Sequence, residues 1–441
     1  MLTIDLIKKQ FEQFEAHLNG EKEQPLHQVR KKALQYVSER PLPTSKDEEW
    51  RFTNPQPMLE TPFQMADEKA AKNLTLEQIR PFLYRDFEGI NLVFVNGYFM
   101  PHLSTSLEEN GPIRVESLKK ALLKNESLLA EVQSREVLEY NTFSALNAAF
   151  FSDGLLLEIP ENTVLEVPVN ILNLSMGNKQ NTRNVVRNIV KIGSHSFLRL
   201  IETFLSLDDD LHFTNTLTTV SLGKKAGMVH NKIHNENGNA FHVKNILVKQ
   251  QESSRYVSNN ITFGGKLVRT NIKVTLQGQF ADAQLNGLYM GHDRQHQDNH
   301  TLIEHAMPNC TSHELYQGIL TDQASAVFAG KILVARDAQK TDAIQSNNCL
   351  LLSDEARIDT MPQLEIYADD VKCTHGATVG QLDEDAVFYL RSRGLAENRA
   401  KNLLIYSFAE RIIEQIKVES VRDYVDRIIL NRFKEDMNFT K

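Results

Sequence analysis

Two stretches of this 441-residue chain hold the residue types best suited to metal chemistry. The first is Cys373-Thr374-His375-Gly376. If it is extended, residues two apart share a face, so thiol and imidazole stand roughly 6 to 7 Å apart along the strand. A single ion could take either group, and a multi-iron cluster could take both. Two ligands do not close a structural zinc site, which wants four, so a site here is incomplete or shared with another chain. The competing reading is a buried cysteine beside a surface histidine. The second stretch is His292, His296 and His300, spaced by four, with His305, Cys310 and His313 following. That spacing puts three imidazoles on one helix face. No H-E-x-x-H accompanies it, however, and the neighbouring segments look like strands, on which the three would be well separated. A solvated polar edge or loop is the simpler account. Cys310 and Cys349 have no C-x-x-C partner and read as small buried hydrophobes.

Enzyme signatures are missing. There is no G-x-x-x-x-G-K-[ST] loop for ATP, no G-x-G-x-x-G and no G-x-S-x-G nucleophile elbow. Gly264-Gly265-Lys266 and Gly223-Lys224-Lys225 read as structural turns. Asp369 with Asp370 is an available acidic pair, which a solvated turn explains. A β-solenoid polysaccharide lyase remains the enzyme alternative and needs ionisable residues clustered in a groove. The net charge of -8 argues against a nucleic-acid groove or a polybasic membrane surface. Three cysteines are too few and too odd in number for a disulfide framework. With no basic-then-apolar leader and no apolar run of membrane length, the expected location is the cytoplasm or an equivalent reducing lumen.

The elements that must position these residues follow from periodicity. Ile7, Phe11, Phe14 and Leu18 fall on one helix face, and Val29, Ala33 and Val37 continue in a second segment. Pro41 and Pro43 break the pattern before the chain's one tryptophan, Trp50. Ile90 to Val95 reads as a strand, and helical pattern returns over Val115 to Ala130 and Thr142 to Phe150. Beyond Asp153 short period-two segments take over, punctuated by Gly193, Gly223, Gly278, Asp322 and Asp354 too often to admit crossover helices. Ile159, Thr163, Leu165 and Ile171 match Ile192, Ser196, Leu198 and Phe204, and sets beginning at Leu320 and Leu352 match again. A unit of very roughly 30 residues, stacked many times, points to a β-solenoid in preference to a β-sandwich. After Asp383 helices return: a short one stopped at Gly394, one with Leu404, Phe408, Ile412 and Ile416 on a face, and one with Val421, Val425 and Ile428. The chain thus divides into a mainly helical region over 1–150, a β core over 151–383 and a helical region over 384–441. The terminal helices are expected to cap the solenoid's edges or to present apolar stripes to a partner.

Longer motifs narrow this further. PQLEIYADDVKCTHGATVG from Pro362 to Gly380 and FYLRSRGL from Phe388 to Leu395 resemble the C-terminal signature of the SufB/SufD family. DEEWRFTN from Asp47, ALNAAFFSDG from Ala145 and GKILVARDAQKTDAIQSNNCLLL from Gly330 extend the resemblance along nearly the whole chain. It implies a right-handed parallel β-helix between helical ends and a non-catalytic scaffold for iron-sulfur cluster assembly. It further implies a heterodimer with SufB and docking of the ATPase SufC, which would supply the missing ATP chemistry in trans. Ala356 stands where the SufB branch carries a cysteine, and Gly376 where it carries a glutamate, so the resemblance lies on the SufD side. By it, His375 is a ligand for iron or a transient Fe-S cluster at the SufB interface, with Cys373 second. Leu364, Ile366 and Val371 form the expected SufB-facing strand, and Phe388, Tyr389, Arg391 and Arg393, together with the helix from Glu397 to Ile416, the expected SufC-facing surface. The resemblance also brings a reduced flavin at the level of the complex and a homodimer of the isolated chain. A purely structural partner of SufB, with no ligand of its own, is the alternative.

Overall fold

The structure, a computed structural model, describes residues 2–16, 18, 21–66, 68–106, 113–177 and 179–435. From Asp153–Ile159 to Val371–Gly380, sixteen strands alternate between two parallel sheets. Each strand pairs with the strand two places on. His230 lies beside Ser258, then come Leu285, Glu314, Gln345 and finally His375, one residue per rung. This is a parallel β-solenoid, as the repeat predicts.

The tight turns follow from the backbone. His195, Lys225, Ser253 and Phe280 take left-handed conformations at successive corners. The glycines that punctuate the sequence serve another purpose. A Cβ on Gly193, Gly223 or Gly278 would stand 2.5, 2.7 or 2.0 Å from backbone of the rung before it. Only a bare Cα lets the corners stack this closely.

Both outer faces of the solenoid are covered. Helices Leu2–Ala16, Pro25–Ser38 and Thr142–Phe150 pack over one sheet, burying Ile7, Phe11, Phe14 and Val29 against Phe213, Phe241 and Val185. Helices Glu397–Ile413 and Glu419–Glu435 pack over the other, with Ile405, Ile412 and Val425 against Ile201, Ile233 and Ile261. Inside, an apolar strip runs the length of the stack and includes Leu200, Val220, Ile246, Ile272, Leu285 and Phe328.

Three expectations are corrected. Val115 to Ala130 is not one helix: strand Arg114–Ser117 pairs antiparallel with Asp153–Ile159, and helices Leu118–Leu122 and Glu126–Val132 follow. The buried face of helix Glu397–Ile413 is Ile405, Ala409, Ile412 and Ile413, with Leu404 and Phe408 at its flank. The C-terminal helices also do not cap the solenoid's end. Their apolar stripes find the outward isoleucines of the second sheet, so the last rung stays open. The start of the stack is closed by strand Arg114–Ser117 and by the turn from Ile90–Val95 into Tyr98–Phe99.

Candidate functional site

Strand Val371–Gly380 is the final strand of its sheet and, among the described residues, pairs on one side only, with Thr341–Leu351. Strand Arg357–Ile366 ends the other sheet in the same way, beside Ser325–Val334. Period-two alternation decides which side chains look into the stack. Ala343 faces Cys373, and Cys373 joins an interior cluster with Ile332, Val334 and Ala343. His375, Ala377 and Val379 therefore lie on the same inward row. With no rung beyond them, these inward side chains end in solvent: Cys373 is half-buried and His375 exposed.

The two candidates differ chemically. Burial, with a smaller push from the Asp342 carboxylate, raises the Cys373 thiol above its ordinary value and keeps it protonated. A protonated thiol is a poor ligand until a metal's charge displaces the proton. His375 presents an imidazole directly to solvent. Beneath it on the previous rung lies Gln345, whose Nε2 donates to Glu314 Oε2 at 2.7 Å. Gly330 makes room for that amide, since a Cβ there would stand 2.1 Å from Gln345 Nε2. The imidazole thus ends a polar row that continues inward, while Cys373 ends an apolar one.

The remaining predicted residues divide. Leu364 and Ile366 finish one strand and Val371 begins another, with a turn over 367–370 between them that buries only Ala368, so Leu364 to Val371 is two sheet edges and not one strand. Asp370 pairs with Lys340 at 2.8 Å in that turn. Phe388 and Tyr389 stand 71% and 57% exposed on helix Glu384–Ser392, large apolar rings with little of their own chain against them. Arg393 donates to the Tyr389 hydroxyl at 3.1 Å, and Arg391 pairs with Glu397 at 3.2 Å.

The histidine run does not converge, and it holds no helix. His292 sits in a surface turn beside Asp293. His296 bonds Thr53 and Ser325, and His300 pairs with Asp298 at 2.9 Å, both on the outer face of strand His296–His305. His305 points inward to Ser312 at 2.8 Å, and His313 is exposed on the other sheet. Cys310 and Cys349 are buried, as expected for small hydrophobes.

The sequence reading overlooked an ionisable interior. Glu202 meets His230 at 3.0 Å, and His212, His234 and His242 meet Glu236, all enclosed between the sheets with Lys232 and Lys244. His230, Lys232 and His234 alternate with Val229, Asn231 and Ile233. On a sheet with one wet face that pattern would put the charges outside. Here helices claim Ile233 from outside, so the same alternation turns the charges inward.

The SufBD core domain of the SUF system for iron-sulfur cluster assembly matches residues 175–408, and the SufBD N-terminal region matches residues 4–171. An iron-sulfur cluster assembly SufBD family protein of Synechocystis is 32% identical over 92% of this chain and 91% of its own length. The iron-sulfur cluster assembly protein SufD of Escherichia coli is 31% identical over 89% of each chain. That of Bacillus subtilis is 26% identical over 93% and 94%.

Proposed function

Because this chain belongs to the SufB/SufD family of iron-sulfur cluster assembly proteins, we propose that it is the SufD-type half of a heterodimeric scaffold, contributing His375 to a site completed by SufB. Its role in SUF iron-sulfur cluster assembly follows from family membership. The pairing, the docking of SufC and the ligand are the proposal.

One observation carries it. Cys373 and His375 stand on a terminal rung whose two strands each have an edge unpaired among the described residues. A site with two donors is incomplete by itself, and an exposed sheet edge invites another strand. One partner laid against this rung satisfies both needs. A neutral imidazole facing a thiolate of the partner is a competent iron site, and a mixed site releases its cargo more readily than an all-thiolate cage. The nascent cluster is then held at the seam as cargo. Phe388 and Tyr389, exposed just beyond the rung, are the surface offered to the ATPase.

The test is anaerobic cluster reconstitution on the co-expressed complex of SufB, SufC and this chain, with iron content and absorbance read for the wild type and His375→Ala. The expected outcome is loss of most of the cluster from a complex that stays intact. Undiminished cluster would leave this chain a structural partner and move the ligands into SufB.

A further inference from the structure

Glu236 is the first residue after strand Gly227–Asn235 and turns inward at the corner. His212 Nε2 reaches its Oε1 at 3.0 Å, while His234 Nε2 and His242 Nδ1 reach its Oε2 at 2.7 and 2.6 Å. Thr214 Oγ1 donates to Oε1 at 2.9 Å and Ser175 Oγ at 3.2 Å. All four ionisable side chains are buried, and the metal-binding atoms of His234, Glu236 and His242 lie within 4.8 Å of one another. Five donors thus converge on a carboxylate that offers about four lone-pair sites. The shell is richer in imidazole than the carboxylate itself needs.

We propose that His234, Glu236 and His242, with His212 as a fourth donor, form an interior binding site for one divalent first-row transition ion. Two imidazoles and a carboxylate are a donor set that suits iron(II) or zinc. Bonds of about 2.0 to 2.2 Å place neighbouring tetrahedral donors roughly 3.3 Å apart, so the present nitrogen-oxygen separations need to open by well under an ångström and the nitrogen-nitrogen separation of His234 and His242, at most 4.8 Å, to close by no more than about 1.5 Å. The protons have somewhere to go. Nδ1 of His234 is buried with no hydrogen-bond partner among the described residues, so that ring can carry its hydrogen there and free Nε2. Nε2 of His242 faces Thr216 Oγ1 at 3.4 Å, so that ring can do the same and free Nδ1. His212 holds Nδ1 against the Asp210 carbonyl at 3.2 Å, which fixes Nε2 toward the site. If His212 joins the ion, its Nε2 proton leaves to solvent. The Phe204 ring stands edge-on to His242 at 4.8 Å and closes one side. Against the ion stands the Lys244 ammonium, which has no hydrogen-bond partner among the described residues and lies over Phe204. Through the segment Asp208 to Asp210, which receives Asn237 and His212, the corner borders solvent. The site is distinct from the terminal rung. His234 shares its row with Thr262, Tyr289, Gly318, Cys349 and Val379, five rungs and about 24 Å away at the usual strand spacing.

Cobalt(II) reports on it. The full-length chain, stripped with chelator, is titrated anaerobically with cobalt(II) alone, and the visible d-d absorption of a low-coordinate ion is followed. One equivalent is expected, displaceable by zinc or iron(II), unchanged when Cys373→Ser and His375→Ala are combined, and lost in His242→Gln and Glu236→Gln variants whose circular dichroism matches wild type. The inference is overturned if the terminal-rung double variant abolishes all binding, if the interior variants keep the spectrum, or if no ion binds. Should the interior variants fail to fold, the wild type decides. Hyperfine-shifted, slowly exchanging imidazole N–H resonances in the cobalt-loaded protein support the site, and their absence refutes it. Neither result depends on cluster assembly, so this inference can fail while the scaffold reading stands, and the reverse.

Discussion

Glu314 is the carboxylate that supports Gln345 under His375. Burial raises it to about 7 against the weaker opposing pull of its hydrogen bonds to Thr301 and Gln345. A carboxyl raised on folding binds its proton more tightly in the native state. Its contribution is complete below the unfolded value near 4.5 and is lost as pH climbs toward 7. Glu314→Gln keeps an acceptor for Gln345 and removes the buried charge. Urea unfolding should find it more stable than wild type by on the order of 1 to 3 kcal/mol at pH 8, with the difference gone near pH 4. This residue shows where sequence reading stops. Cys373 and His375 were legible because two donors two apart stand out in any extended segment. Glu314 and Gln345 come from segments 31 residues apart in the same sheet, and only register brings them together. The Glu236 cluster was hidden for another reason: its histidines occupy alternating positions that ordinarily mark a wet face.

Among the elements, the segment carrying Trp50 is held to the solenoid by Arg269 and by Thr53, whose hydroxyl donates to Asp298 at 2.7 Å. Arg269 lies 3.9 Å from the Trp50 ring centroid, donates to the Glu49 carbonyl at 2.7 Å and pairs with Asp298 at 2.8 Å. Arg269→Ala should cost roughly 3 kcal/mol, because it removes the main countercharge of the buried Asp298 carboxylate and leaves it only Thr53 and His300. It should also release the stretch around Pro41 to Asp47 to limited proteolysis at concentrations that leave wild type intact. Helix Glu384–Ser392 predicts the opposite signature. Phe388 and Tyr389 are exposed, so replacing both with serine should move stability by no more than about 0.5 kcal/mol. Capture of SufC in a pull-down should nevertheless fall sharply, and unchanged capture would take the docking surface elsewhere. The helices and the repeat unit were readable from periodicity, since 3.6 and 2 are distinct signals. Which outer face each helix covers was not, because both sheets present apolar residues outward. The helix expected over Val115 to Ala130 failed because Ser117, an N-cap, also ends a strand that four residues of sequence cannot announce.

At the scale of the whole molecule, the two ends of the stack differ. Among the described residues no helix is long and apolar enough to cross a membrane, and the exposed apolar side chains Ile366, Tyr367 and Val379 gather at the open rung. The isolated chain is therefore expected to pair with itself there. Sedimentation should show a dimer at micromolar concentration that Ile366→Glu with Val379→Glu converts to monomer, and a dimer indifferent to both changes would place the contact elsewhere. The closed end has a further consequence. Strand Arg114–Ser117 runs antiparallel and is four residues long, and the edge of Ile90–Val95 is occupied by Tyr98–Phe99 and by the bond from Thr105 to the Asn91 carbonyl. In polymer chemistry a unit with one reactive end is a chain stopper. Parallel solenoids with two live ends grow into fibres, as stacked strands do wherever edges stay free. Through its sheet edges a unit of this kind would join once, so strand pairing, with a copy or a relative, would stop at two.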